Sequence, residues 1–208
     1  MSEFICGDCM EGMKRFPDGY FDLAIVDPPY GIENGNRATS SLRKYGGLDF
    51  ANDKKPEKKY FDELFRVSKN QIIWGYNHLS DMLPSTKEFI FWYKHQTVDT
   101  YADGELARTS FKKTAKCFDY PFYGFVNREE DRIHPTQKPI ALYEWLLTRY
   151  AKPGYRILDT HVGSASSLIA CERMGFDYVG FELNPEFYER AQKRMEQRRN
   201  QITLIGAF

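Results

Sequence analysis

The chain has 208 residues, with 29 basic against 29 acidic side chains and a formal net charge of zero. Hydrophobic residues at 42% and aromatics at 16% supply a sizeable core and exclude intrinsic disorder as a description of the whole. A neutral chain does not hold nucleic acid by bulk charge alone, and no apolar run approaches the roughly 18 residues of a membrane span.

The opening Met1-Ser2-Glu3-Phe4 lacks the basic and apolar regions of a secretory signal. Four cysteines in a chain this long make no disulfide scaffold. These features predict one cytoplasmic domain over 1–208. Cys6-Gly7-Asp8-Cys9 follows a short strand; its C-x-x-C spacing suits thiol redox chemistry, whereas zinc would need a second pair, and Cys117 and Cys171 are isolated. Phe21–Val26 reads as a buried strand running into Asp27-Pro28-Pro29-Tyr30. From Gly31 to about Lys59 the chain is rich in Gly, Asn, Ser and Lys, which predicts a mobile, functional loop over about 31–59.

Gln71–Trp74 and Glu88–Trp92 are further strand candidates. Arg108–Lys116 carries four basic residues, no acidic one and no regular pattern. Pro139–Tyr150 repeats Leu142, Trp145, Leu146 and Tyr150 at helical spacing and is stopped by Lys152-Pro153-Gly154. Tyr155–Leu158 is a strand running into Asp159 and the small-residue turn Gly163–Ser167, from which a helix continues over Leu168–Met174. Tyr178–Phe181 is a strand ending at Glu182. The last helix starts with Asn184 as N-cap and Pro185 at its first position, with Leu183 able to staple onto Tyr188. Strands alternating with helices predict an α/β fold with a parallel sheet covered on both faces.

Asp27-Pro28-Pro29-Tyr30 is the strongest local signal. It sits where a parallel strand ends, the usual ligand side of an open α/β sheet. Its prolines stiffen the turn and remove two N–H donors, leaving carbonyl acceptors beside a carboxylate and an aromatic ring. That set can accept both hydrogens of an exocyclic amine while a ring stacks on the base; an ordinary proline turn with a packed tyrosine is the plainer reading. Asp159 to Ser167 forms a strand–turn–helix cradle, and Glu182 ends the next strand about where ribose hydroxyls are held. There is no full G-x-G-x-x-G, and a plain helix-start turn fits this segment as well. His134-Pro135-Thr136-Gln137-Lys138-Pro139 is a rigid polar turn opening a helix; taken alone, Lys138 reads as a solvated surface lysine.

The three segments together resemble the permuted (beta-group) amino-methylating DNA methyltransferases, the N6-adenine type in particular. Gly7-Asp8-Cys9, Trp92-Tyr93-Lys94, Ala102–Ala107 and Gly180–Pro185 resemble further segments of that family. The resemblance implies a Rossmann-like, mostly parallel seven-stranded sheet with helices on both faces. It implies S-adenosylmethionine as cofactor, double-stranded DNA as partner and a monomer or homodimer. Asp27, Pro28, Pro29 and Tyr30 would be catalytic. Asp8, Cys9, Asp27, His134, Thr136, Lys138, Asp159, His161, Gly163, Ser164, Ala165, Glu182 and Asn184 would line the cofactor site, and no metal is implied.

One departure stands out. Where the family has P-F-x-G-S-G-T, this chain reads Thr160-His161-Val162-Gly163-Ser164-Ala165-Ser166, so Ala165 adds a methyl where backbone approach is closest. The region 108–132 would serve as a small target-recognition segment. Arg43, Lys44, Lys54, Lys55, Lys112, Lys113 and Lys116 are the candidate phosphate contacts, with a solvated helix start as the plainer reading for Lys54, Lys55, Lys58 and Lys59. The expected reaction is methyl transfer to the N6 amine of adenine. The alternatives are N4-cytosine methylation and a weakened, DNA-binding relative with an altered cofactor loop.

Overall fold

The computed structural model describes residues 1–31, 54–96, 99, 102–122, 126, 132–134 and 136–205, the last four without their side chains. Eight strands form one sheet: β1 (Glu3–Cys6), β2 (Leu23–Val26), β3 (Gln71–Trp74), β4 (Phe89–Tyr93), β5 (Gly104–Thr109), β6 (Lys116–Asp119), β7 (Arg156–Asp159) and β8 (Asp177–Glu182). Their spatial order is β1-β8-β7-β2-β3-β5-β4-β6. The helices are α1 (Cys9–Met13), α2 (Lys58–Val67), α3 (Tyr76–Leu79), α4 (Ile140–Tyr150), α5 (Ser166–Met174) and α6 (Pro185–Ile205).

The sheet is mostly parallel, as expected. Only β5 runs against its two neighbours, β3 and β4. The expected count of seven strands is corrected to eight among the described residues. Gly104–Thr109 inserts antiparallel between β3 and β4, and Lys116–Asp119 then adds a parallel strand on the outer side of β4. Part of the basic segment expected to be irregular is therefore strand, and Arg108 is buried, its Nε donating to the Pro84 carbonyl at 3.0 Å. Lys58 and Lys59 belong to α2 rather than to a loop.

Alternation along the strands divides the core in two. Leu23, Ile25, Ile72, Trp74 and Ile157 face one layer, with Leu142 and Leu146 of α4, Leu168 and Ile169 of α5, and Ala191 and Met195 of α6. Ala24, Val26, Ile73, Leu158 and Phe181 face the other, against Tyr60, Phe61, Leu64 and Val67 of α2. Period-2 side chains on a sheet buried from both sides require this split. The four buried α2 residues each contribute about 1.5–3 kcal/mol of apolar burial, which holds a ten-residue helix that would be marginal alone. At α6, Asn184 caps as expected, its Oδ1 accepting from the amides of Glu186 at 2.9 Å and Phe187 at 3.2 Å. The expected staple is absent: Leu183 is 60% exposed, and Tyr188 instead packs on Phe4 with ring centroids 4.5 Å apart.

The topology decides where a site can form. β2 and β7 lie far apart in sequence yet pair in parallel, Leu23 with Ile157 and Ala24 with Leu158. Their crossover helices, α2 and α5, cover opposite faces, so the carboxyl ends of β2 and β7 flank a crevice.

Candidate active site

Asp27 follows β2 directly, and its side chain is 17% exposed. The Tyr30 hydroxyl donates to Asp27 Oδ1, and the Lys138 ammonium donates to Oδ2. The Tyr30 ring rests on two supports. His78 of α3 stacks on it at 5.2 Å and 16°. Gly75, at φ +73°, lies so close that a Cβ there would fall 2.0 Å from a Tyr30 ring carbon. Burial, then the charges of Asp27 and Glu105, push the Tyr30 hydroxyl well above its ordinary range, so it remains a donor.

Lys138 is the centre of this cluster and is only 4% exposed. Its Nζ also lies 3.0 Å from Glu105 Oε2 and 5.4 Å from the centre of the Trp74 ring. The other oxygen of Glu105 accepts from Lys94 Nζ. Burial alone would depress the Lys138 ammonium, but the carboxylates of Asp27 and Glu105 outweigh it and raise its pKa. The turn carrying Lys138 is tied to the start of α5, since its carbonyl accepts from Ser166 Oγ at 2.7 Å. The same turn is closed internally by Gln137 Oε1, which accepts from the Ile133 amide at 3.1 Å.

One strand over, the chemistry changes. Asp159 ends β7 and is 2% exposed; its carboxylate accepts from the His161 amide at 3.0 Å and from the Ser167 hydroxyl. Among the described residues neither Asp159 nor Glu182 makes an ion pair. Burial pushes Asp159 up to about 7, despite those hydrogen bonds. Glu182, ending β8, accepts from the Gly163 amide at 2.8 Å and from the Asn184 amide at 2.9 Å; burial raises it too. Asp8 follows β1, where Cys6 pairs with Glu182, and caps α1 by accepting from the Met10 amide at 2.8 Å. Three carboxylates thus crown three adjacent strand ends.

The loop between them is held from outside. His134 lies over Gly163, whose Cβ position would be 3.5 Å from the imidazole, and packs edge-on against Phe187 at 4.4 Å. Thr136 Oγ1 is 3.1 Å from His134 Nδ1. Burial depresses both His134 and His161 to about 4, so each imidazole is neutral. His161 sits edge-on to Tyr60 at 5.4 Å with Nδ1 2.9 Å from Thr160 Oγ1. Ser164 and Ala165 are buried, and Ala165 adopts the left-handed conformation at φ +61°. Cys9 opens α1, and burial followed by the Asp8 charge pushes its thiol up to about 12. A thiol of that acidity is a poor nucleophile. Among the described residues no group of three His, Cys, Asp or Glu side chains could hold a metal.

A strand-end carboxylate with its own lysine, beside a crevice of unpaired carboxylates, suits transfer between two bound molecules. Comparison with known proteins gives that arrangement a family. The DNA methylase family model of N6 and N4 methyltransferases matches residues 58–193. The chain belongs to this DNA methylase family. It is 26% identical to a protein of Escherichia coli (strain K12) that carries the name methylase YubD, over 94% of this chain and 90% of that one. It is 23% identical to the Type II methyltransferase M.HpaI of Haemophilus parainfluenzae, over 97% of this chain and 76% of that one. Among solved structures, a DNA modification methylase from Thermus thermophilus, complexed with S-adenosyl-L-methionine, superposes with a TM-score of 0.62 at 19% identity, covering 95% and 96% of the two chains. The cytosine-N4-specific PvuII DNA methyltransferase gives 0.61 at 13% identity, covering 97% and 92%.

In this methylase the family match starts at residue 58, so the Asp27–Tyr30 segment lies outside the family model, while the whole-chain relatives cover 94% and 97% of the chain. The structure gathers the sequence-predicted residues unevenly. Asp8, Cys9, Asp159, His161, Gly163, Ser164, Ala165, Glu182, Asn184, His134 and Thr136 cluster at the ends of β1, β8 and β7. The Lys138 ammonium instead joins Asp27. Lys113 and Lys116 stand apart. Lys116 opens β6, away from the carboxyl ends of the parallel strands. Lys113 Nζ donates to the Arg149 carbonyl at 3.0 Å, near the far end of the 11-residue α4. At a rise of about 1.5 Å per residue, that is roughly 15 Å from the Lys138 turn. Lys112 adjoins Lys113. Lys54 and Lys55 lie near Tyr30, because Lys55 packs against Gly31 and pairs with Asp81 at 2.7 Å. Arg43 and Lys44 fall outside the described residues.

Four contributors were not among the residues expected at the site, although Lys94 and Glu105 lie in two of the family-like segments. Glu105 and Lys94 complete the Asp27 cluster, Tyr60 binds Thr160 Oγ1 at 2.7 Å, and Arg194 reaches from α6 to the Ser164 carbonyl and, at 3.1 Å, to Ser166 Oγ. The available signal was a charged residue inside an apolar helix face or strand: Arg194 is 4% exposed between Ala191 and Met195.

Proposed function

We propose that this methylase transfers a methyl group from S-adenosylmethionine to the N6 amine of adenine in DNA. The observation that carries the proposal is the Asp27 carboxylate, held at the end of β2 one strand away from the Asp159–Glu182 crevice. The donor set there fits the cofactor. Unpaired carboxylates favour a cationic ligand, Glu182 keeps acceptor capacity for ribose hydroxyls, and the Gly163–Ser164 turn allows close approach. Asp8, Asp159, Gly163, Ser164 and Glu182 would hold it, with His134 and Thr136 as a lid residue pair. When bound, the cofactor supplies an electrophilic methyl group.

The protein's part is to make a poor nucleophile attack. The adenine amine lone pair is delocalised into the ring. Each carboxylate oxygen has two lone-pair directions, so Asp27 can take a hydrogen of the amine while keeping Tyr30 and Lys138. The Pro28 carbonyl takes the second. With both hydrogens held, the lone pair turns toward the methyl group, and the fixed acceptors stabilise the positive charge that develops on nitrogen. The proton lost afterwards passes through Asp27 to solvent. A paired base lies inside the duplex, so it must be flipped out, with Tyr30 as the stacking platform and His78 behind it.

DNA contact is proposed for the 31–59 segment and for Tyr120–Arg132. The latter leaves the catalytic edge of the sheet, where the Phe122 amide donates to the Lys94 carbonyl at 3.1 Å. Lys54 and Lys55 are proposed as the phosphate contacts nearer the site, and Lys112, Lys113 and Lys116 as contacts farther from Asp27.

The test is to incubate the purified protein with unmethylated plasmid and S-adenosylmethionine, digest to nucleosides and identify products by mass spectrometry. N6-methyladenine is the expected product. N4-methylcytosine would overturn the choice of base, and no methylated nucleoside would overturn the activity.

A further inference from the structure

We infer that Glu105 is a positioning residue for methyl transfer, acting through Lys138 to keep Asp27 a fixed acceptor. The inference rests on the proposed reaction and deepens it. Four charged groups meet at the catalytic edge. Lys94 follows β4, Glu105 lies on β5, Lys138 precedes α4 and Asp27 follows β2. Contacts link them in that order, ending at the Tyr30 hydroxyl. Two positive and two negative charges sum to zero. Lys138 is 4% exposed and Asp27 17%, so neither charge is well screened by water.

The placement of Glu105 explains why a lysine can touch the acceptor without spoiling it. A buried ammonium with Asp27 as its only anion would draw on that carboxylate completely. It would also leave the site positive just as the amine becomes positive. Glu105, an ion-pair partner of Lys138 at 3.0 Å, supplies a second counter-charge and restores neutrality, while Lys94 holds Glu105 from the other side. Other groups facing the cluster are Tyr30, Tyr60, Tyr143 of α4, His134 and Arg132 on the Lys138 turn, and Asp159 on the neighbouring strand end, whose titration at about 7 acts on Asp27 in parent and variant alike. Tyr30 and Tyr143 are held well above their ordinary range, chiefly by burial, and His134 is neutral, so none of these can replace the charge of Glu105. The Glu105 carboxyl is itself held below the carboxylate range: burial opposes this, but Lys138 and Lys94 prevail.

The experiment is Glu105→Gln in the full chain, which keeps size and removes charge. Expected is a fall in kcat of about tenfold or more, with KM for S-adenosylmethionine and for DNA within about twofold of the parent. The pH profile carries the distinguishing sign. Having lost an anion, Lys138 gives up its proton at lower pH and with it the charged contact that fixes Asp27, so the variant's kcat declines on the alkaline side where the parent's does not. Adding Lys94→Met to Glu105→Gln removes the surplus positive charge and should recover part of kcat. A single variant with parental kcat, or a double variant worse than the single with the same pH profile, overturns the inference. If Glu105→Gln does not fold, Glu105→Asp replaces it: charge kept and reach shortened should still lower kcat at unchanged KM, and parental kcat overturns it. If the parent methylates no DNA, the proposed function has failed separately. Nitrogen-15 NMR of Lys138 then tests the coupling by itself: deprotonation at lower pH in Glu105→Gln supports Glu105 acting on Lys138, and identical titration overturns it.

Discussion

Asp27 and Asp159 end neighbouring parallel strands of one sheet, and they live in opposite electrostatic worlds. Asp27 is bound by an ammonium and a hydroxyl, inside a cluster whose charges cancel. Asp159 is more deeply buried, has only an amide and a hydroxyl as partners, and is pushed up to about 7. What separates them is the element arriving from outside the local strand–turn–helix unit. The Lys138 turn and β5 bring compensating charges to Asp27, while the Gly163–Ser167 turn brings only small side chains to Asp159. One carboxylate is held by fixed donors and has counter-charges beside it. The other is left wanting a cation.

The strongest way to break this contrast is at Asp27. Asp27→Asn keeps the shape but turns one acceptor into a donor and strands Lys138 with Glu105 alone. Methyl transfer should fall by about a thousandfold, in the range seen when a preorganised transition-state contact is lost. Cofactor binding should remain measurable by calorimetry, because the crevice at Asp159 and Glu182 is untouched. Retained activity would remove Asp27 from the chemistry.

Asp159→Asn sharpens the other half. The Asp159 pKa in the folded chain, about 7, exceeds the unfolded value near 4. Its contribution to stability is therefore fully present below about pH 4 and is lost as pH rises through about 7. Asparagine carries no such penalty and can still accept from the His161 amide. The variant should match the parent near pH 4 and exceed it at pH 8 by about 2–4 kcal/mol in denaturant unfolding. A constant difference across that range would show that Asp159 does not titrate as its burial implies.

Much of this site was legible from local pattern. The Asp27, Asp159 and Glu182 strand ends, the helix after Pro139 and the Asn184–Pro185 start all announce themselves within a few residues, since alternation and capping are short-range signals. Lys138 was not legible as a buried residue. Beside His134 and Gln137 it reads as a solvated lysine, yet it is buried because its counter-charges come from residues 27 and 105, which only the sheet brings near. The sheet edge misled for a related reason. β5 carries Glu105, Arg108 and Thr109 around Leu106 and Ala107, so neither strand nor loop pattern is clean. Composition also carries no information about which end of a strand the lysines at 112–116 occupy, and the sheet places Lys116 at the start of β6.

Glu182→Ala is the next smaller effect. It removes the acceptor that joins β8 to the Gly163 amide and the one proposed for ribose hydroxyls. S-adenosylmethionine binding should weaken by about 1.5–3 kcal/mol, as for a charge-assisted hydrogen bond. Calorimetry giving parental affinity in a folded variant would place the ribose elsewhere.

The smallest effect is expected at Ala165, where this chain departs from the glycine of the family pattern. A non-glycine residue at φ +61° carries a steric cost of about 1–2 kcal/mol, which glycine would relieve. Two opposing terms nearly cancel that gain. Ala165 is fully buried and packs in the core layer shared with α4, α5 and α6, so its methyl is worth about 0.8 kcal/mol of burial, and glycine adds a similar entropy cost on folding. Ala165→Gly should shift stability by less than about 1 kcal/mol. Because the methyl belongs to the core and not to the crevice lined by Asp159 and Glu182, cofactor affinity should stay within about twofold, under about 0.5 kcal/mol. A marked tightening of S-adenosylmethionine binding in the glycine variant would mean that the methyl intrudes on the cofactor after all, and that the altered loop restrains this methylase.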